Sequence, residues 1–246
     1  MAELYWLKRP IAHRGLHDAA KGVIENSASA VTAAMGKHCA IEVDVQCAAG
    51  HMPVVFHDST LDRLTDETGP VAARDVDQLR AINLKGSTDR ILSLPDLFAL
   101  VGGYVPLVLE VKSAWQRDGT FEANIANLLK SYSGPVAVMS FDPYCVEAFR
   151  EAAPDLPRGL VACRFDPQDF PNLTARERFL MRHLLTSAFA RPHFIAYDIG
   201  ALPAVAPLVA KALFGLPLLT WTVRTKAERE RALRYADAMI FEGIEP

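Results

Sequence analysis

Along most of its 246 residues this chain alternates short β-branched apolar runs with longer segments of helical period, and that alternation leaves few folds open. The strand candidates fall, in order, at residues 10–13, 40–45, 105–111, 136–141, 158–162, 194–198, 216–223 and 238–242. Between them lie helical patterns at 27–38, 121–131, 143–153, 176–191, 203–214 and 226–235. Several of these carry start signals: Ser27 and Thr225 suit N-cap positions, and Asp142 precedes Pro143, which suits the first helical position. Eight parallel strands with outer helices predict an α/β TIM (β/α)8 barrel, with an open doubly wound sheet as the second arrangement.

One further run, 52–57, follows Val45 after a loop too short for a right-handed parallel crossover, so it is expected to add antiparallel to the second strand. Residues 59–104, with short helices predicted at 75–81 and 93–101, then interrupt the alternation as an insertion. No linker, repeat or low-complexity tract divides the chain, and a single domain over 1–246 is expected.

Charge and composition narrow the partners. With 26 Lys+Arg against 29 Asp+Glu the chain has no basic excess, so a nucleic acid is not expected as partner. Cys39, Cys47, Cys145 and Cys163 are too far apart for a CxxC site and are expected to be reduced. The first ten residues carry Glu3, Lys8 and Arg9 and lack an apolar leader core. The least polar stretch, 199–223, is broken by Pro203, Pro207, Lys211 and Pro217, so no transmembrane anchor is expected and the protein is expected to be cytoplasmic. The 176–191 segment combines Arg176, Arg178, Arg182 and Arg191 with apolar residues. That pattern suits the outer face of a barrel helix more than contact with an anionic bilayer.

Polar residues gather where a barrel places its chemistry, at the C-terminal ends of strands. The first strand ends in His13-Arg14-Gly15, the second holds Glu42 and Asp44, the third ends in Glu110 and Lys112, and the hairpin run ends in His57-Asp58. Strand side chains alternate, so Glu42 and Asp44 share a face, as do Glu110 and Lys112. Carboxylates buried on neighbouring strands need a compensating cation. Three oxygen ligands without a thiolate suit a hard divalent ion, Mg²⁺ or Ca²⁺. Arg14 and Lys112 suit phosphoryl oxygens, while His13 and His57 can supply an acid and a base near neutral pH. A lone Glu-x-Asp is commonly a solvated edge and a lone His-Arg-Gly a turn. Their joint placement after consecutive strands, with Glu25-Asn26 before the first helix, is what makes a site.

In order, Ile11-Ala12-His13-Arg14-Gly15 with Glu25-Asn26, Ile41-Glu42-Val43-Asp44-Val45, Pro53-Val54-Val55-Phe56-His57-Asp58, then Leu61, Arg63, Thr65 and Gly69, and Leu109-Glu110-Val111-Lys112 resemble the motifs of the glycerophosphodiester phosphodiesterases. Ser140-Phe141, Trp221-Thr222-Val223 and Ala236-Asp237 extend the resemblance over nearly the whole chain. It implies a metal-dependent TIM barrel with a small insertion, here at about 52–105, that cleaves small-molecule glycerophosphodiesters to glycerol 3-phosphate and an alcohol. It makes Glu42, Asp44 and Glu110 the ligands of one divalent cation, His13 and His57 the acid and base pair, and Arg14 and Lys112 the phosphate holders. One histidine would take the proton of a glycerol hydroxyl and the other would protonate the departing alcohol, leaving a cyclic phosphate for water to open. Glu25 matches a glutamate lining the family's site, or faces a helix dipole. Phe141 and Trp221 form either an apolar wall beside the glycerol or plain packing.

Two positions depart from the family pattern. Arg224 stands where an asparagine is usual, and Phe241-Glu242 where threonine followed by Asp or Asn is usual. Both are read as rim changes bearing on the accepted headgroup, with Arg224 a solvated loop residue in preference to a second anion contact. The competing readings are the same barrel acting on a lysophospholipid or another lipid-derived diester, a non-catalytic glycerophosphodiester-binding barrel, and a metal hydrolase of C–N or C–O bonds.

Overall fold

The computed structural model describes residues 4–113, 115 and 117–245. Glu3, one of the charges that argues against a leader, lies outside the described residues. The strands are β1 (Ile11–Ala12), β2 (Ala40–Ala48), β3 (Met52–Val55), β4 (Leu92–Ser93), β5 (Leu107–Val111), β6 (Val136–Ser140), β7 (Arg158–Ala162), β8 (Phe194–Asp198), β9 (Leu218–Val223) and β10 (Ala238–Phe241). Eight of them, β1-β10-β9-β8-β7-β6-β5-β2, run parallel in that order and close through β1 to β2, which makes a TIM barrel. The open-sheet alternative fails at that closure: two-residue β1 pairs Ala12 with Ile41 on one side and with Phe241 on the other.

The helices are α1 (Ala28–Gly36), α2 (Val76–Arg80), α3 (Leu94–Val101), α4 (Thr120–Leu129), α5 (Pro143–Ala152), α6 (Ala175–Arg182), α7 (Ser187–Ala190), α8 (Val205–Phe214) and α9 (Lys226–Tyr235). The predicted caps hold. Ser27 accepts the Ala30 amide at 3.2 Å, Asp142 accepts Tyr144 N–H ahead of Pro143, and Thr225 forms a capping box with Glu228.

The structure adds to the sequence expectation in three places. β2 extends to Ala48 because its end pairs antiparallel with β3, as the short loop required. β4, which the sequence did not suggest, pairs in turn with β3. The helix expected over 176–191 is broken into α6 and α7, because the backbone turns left-handed at buried Leu184 (φ 57°), and the turn brings Thr186 and Ala190 into the interior.

Strand alternation sorts the core into two apolar layers. Ile41, Val43, Val45, Leu107, Leu109 and Val111 point outward under the helices. Ile11, Ala40, Val108, Met139, Val161, Phe194, Leu219 and Ile240 fill the barrel, whose lower end is plugged by Trp6 and Leu7. The same inward parity, continued upward, reaches Glu42, Asp44 and Glu110. The barrel is therefore apolar at its base and charged at its mouth. No helix among the described residues is long and apolar enough to cross a membrane.

Candidate active site

Register brings the predicted residues together. Asp44 lies beside Glu110 in the β2–β5 pairing, and because Ala12 is level with both Ile41 and Phe241, His13 emerges between Glu42 and Glu242. The turn after β1 is tight: Arg14 and Gly15 have φ of 55° and 77°, and Gly15 packs on α1 so closely that a Cβ there would lie 2.7 Å from the Ala30 carbonyl carbon. The turn aims the Arg14 amide at Glu42 Oε2, 2.9 Å away. Gly15→Ala is therefore expected to cost about 1–3 kcal/mol in denaturant unfolding and to lower activity with it. Unchanged stability would show that the turn tolerates the displacement.

Glu42, Asp44 and Glu110 are all buried and offer oxygens within 4.8 Å of one another. Their surroundings differ. Asp44 accepts a hydrogen bond from Asn26 Nδ2 at 2.8 Å and is ion-paired with Arg14, whose Nε lies 3.1 Å away, and with Lys112, whose Nζ lies 2.8 Å away and also pairs with Glu110. Burial opposes ionisation of Asp44, but Lys112 and Arg14 outweigh it and hold the carboxyl below the usual carboxylate range. Glu42 has no such pair. Burial, and then the charges of Asp44 and Glu110, push its carboxyl well above its ordinary value, and its Oε1 is buried without a hydrogen-bond partner. The cluster is thus short of positive charge at the Glu42 corner. An all-oxygen donor set with one orphaned carboxylate oxygen fits a hard divalent cation, which these three residues would hold.

The two histidines flank this cluster. His13 Nε2 lies 4.0 Å from Glu42 Oε2, and its Nδ1 lies 2.9 Å from Glu242 Oε2. His57 Nδ1 lies 2.6 Å from Asp58 Oδ1, and Arg63 clamps Asp58 at 2.6 Å from Nε. Glu25 joins the two sides, accepting from Arg14 Nη1 at 2.6 Å and from Arg63 Nη2 at 2.8 Å. Burial opposes its ionisation, but the Arg63 hydrogen bonds and the Arg14 charge outweigh this and lower its pKa. Phe141 and Trp221 meet edge to face at 5.4 Å on the opposite wall of the mouth.

Sequence reasoning underrated several residues. Asn26, whose φ of 59° turns it back onto Asp44, was seen only as part of Glu25-Asn26. Asp58 and Arg63 were motif members without roles. His17 was not singled out, although it reaches within 4.0 Å of Glu242 Oε1, four residues after His13. Arg224 is an exposed residue after its strand, as expected, but it and Glu242 do more than stand on the rim: Glu242 touches His13, and Arg224 donates to Glu242 Oε2 at 3.0 Å.

Comparison with known proteins points one way. The sequence profile of the glycerophosphoryl diester phosphodiesterase family matches residues 13–244. A glycerophosphodiester phosphodiesterase of Caldanaerobacter subterraneus subsp. tengcongensis is 33% identical over 162 residues, 61% of this chain and 65% of that protein. The human glycerophosphodiester phosphodiesterase 1 is 39% identical over 75 residues, 30% of this chain and 22% of that one. The chain thus spans less than two thirds of the curated relatives it matches. Among solved structures, an Oleispira antarctica phosphodiesterase in complex with the product sn-glycerol-3-phosphate superposes with a TM-score of 0.80 at 18% identity, covering 98% of this chain and 95% of that one.

Proposed function

Because this chain belongs to the glycerophosphoryl diester phosphodiesterase family, we propose that it hydrolyses glycerophosphodiesters to glycerol 3-phosphate and an alcohol, using one divalent cation, Mg²⁺ or Ca²⁺, and two histidines. The observation that carries the reading is the buried Glu42, Asp44 and Glu110 cluster, short of one cation and flanked by two histidines whose Nδ1 atoms each rest on a carboxylate.

In this reading the diester phosphate enters at the barrel mouth. Arg14 and Lys112 meet it with positive charge; Lys112, ion-paired with Asp44 and Glu110, keeps N–H donor capacity for a phosphoryl oxygen. With Nδ1 occupied, His13 and His57 each present Nε2 to the substrate. One takes the proton of the attacking glycerol hydroxyl while the other protonates the departing alcohol oxygen, and the roles reverse when water opens the cyclic phosphate. The cation, when bound, supplies Lewis-acid neutralisation of the charge on the phosphoryl oxygens. Phe141 and Trp221 supply an apolar surface for the glycerol carbons. The reading takes residues 1–246 as one barrel domain with an insertion at about 52–105. It places the protein in the cytoplasm, where its four unpaired cysteines would stay reduced.

The test is release of glycerol 3-phosphate from glycerophosphocholine, glycerophosphoethanolamine and glycerophosphoglycerol, with Mg²⁺, Ca²⁺ or EDTA. Metal-dependent release is expected, and silence on all three under every condition would sink the reading.

One observation favours a second substrate class. Phe170, whose ring lies 5.8 Å from that of Phe141, also lines a cavity of about 530 Å³ together with Leu173, Leu180, Met181 and Phe189. The apolar part of that lining, beside Arg117, Asp169 and Glu177, can take the start of an acyl chain with its charged end, so lysophospholipid micelles belong on the same panel.

A further inference from the structure

The two positions at which this chain leaves the family pattern are linked to one histidine: Glu242 touches His13, and Arg224 touches Glu242. Glu242 follows the last residue of β10, and barrel closure sets it beside His13, 229 residues earlier, with Oε2 2.9 Å from Nδ1. Arg224 follows β9 and reaches the same carboxylate at 3.0 Å. His57 is held by a matching set, with Asp58 on its Nδ1 and Arg63 on Asp58. Each histidine is therefore backed by a carboxylate and an arginine, one set built from neighbouring residues of a single loop and the other from opposite ends of the chain.

We propose that Glu242 is a positioning residue for the reaction: it accepts the Nδ1 proton of His13, fixing the imidazole so that an unprotonated Nε2 faces the carboxylate cluster, and Arg224 holds Glu242 in that pose. The 2.9 Å contact and the ionised state of Glu242 together set the direction of donation. The hydrogen bond from His13, then the Arg224 contact, hold the Glu242 carboxyl down at about 2 against partial burial. An ionised carboxylate only accepts, so Nδ1 carries the proton and Nε2 the lone pair. Among the described residues Glu242 is the hydrogen-bond partner of His13 Nδ1; His17 Nε2 lies 4.0 Å from the other oxygen of Glu242, and burial lowers the His17 pKa. A carboxylate that orients a histidine in this way is worth roughly 10- to 100-fold in activity.

The inference rests on the diesterase reading and is tested by Glu242→Gln. Glutamine keeps the shape but can offer an N–H to Nδ1, which favours the wrong tautomer. Glu242→Gln is expected to lower kcat by about 10- to 100-fold with KM, metal affinity and Tm unchanged. Glu242→Asp, which keeps the carboxylate, should recover part of the loss, and Arg224→Ala should shift kcat in the same direction by less. Nitrogen NMR of His13 at pH 9, assigned with His13→Ala, should show the Nδ1–H tautomer in the wild type and its loss in Glu242→Gln. Wild-type kcat in Glu242→Gln, or a loss that tracks Tm and metal affinity, would overturn the proposal. A wild-type protein without diesterase activity would sink the parent reading, and the His13 tautomer would then decide this one alone.

Discussion

His57→Ala is expected to fold normally, bind its cation normally and release glycerol 3-phosphate roughly 10²- to 10⁴-fold more slowly than the wild type, the usual worth of a positioned general acid or base. The fold should tolerate the change because His57 is not a core residue: its side chain is 32% exposed, and Asp58 keeps its Arg63 partner when the imidazole is gone. The loss belongs to kcat, since neither histidine is among the phosphate holders. His13→Ala should fall by a similar factor, with Glu242 still held by Arg224. The two variants separate on a substrate whose leaving alcohol is strongly acidic. A good leaving group needs no proton, so such a diester restores the variant lacking the acid and leaves the variant lacking the base slow. The double variant should lose much less than the product of the two single losses, because the histidines act on one displacement. Wild-type rates from either single variant would remove the acid–base assignment.

The barrel and most of this site are legible in the sequence for a reason of scale. Strand identity, inward parity and strand-end chemistry are local, so His13, Glu42, Asp44, Glu110, Lys112 and His57 can be placed from periodicity within a few residues of each. Closure is not local. That Glu242 would touch His13 depends on β10 and β1 meeting in register, Phe241 level with Ala12, which no spacing near residue 242 encodes. The role of Arg224 is hidden for the same reason, since it acts on Glu242. Asn26 escapes because its contact with Asp44 needs a left-handed backbone, a conformation open to asparagine without being signalled by it. The break between α6 and α7 is hidden differently: the arginines and apolar residues of 176–191 satisfy a helical period, and a turn at one buried leucine overrides it.

The largest effect is expected at Asp44. Within the cluster Asp44 sits between two cations, with Lys112 Nζ at 2.8 Å and Arg14 Nε at 3.1 Å, and it is 1% exposed. Asp44→Ala leaves those cations less compensated in a buried site, a change that typically costs 3–5 kcal/mol, and it removes one of the three proposed cation ligands as well. Activity should fall to background even where the variant still folds at low temperature. The same site predicts how the wild type responds to metal. Chelation should abolish turnover, and a cation at 100 times its dissociation constant should return about 2.7 kcal/mol of stability. For a domain of this size that is a rise of about 5–10 °C in Tm. The pH dependence has a definite sign. Burial and the neighbouring carboxylates keep Glu42 protonated above its ordinary range, so in the metal-free protein its contribution favours folding below its unfolded pKa and is lost as pH rises through the raised one. A cation must displace that proton, and the metal-induced rise in Tm should therefore grow with pH through the same interval. Full activity in chelator, or an undiminished metal-induced shift in Asp44→Ala, would show that the cluster is a charge network without a cation.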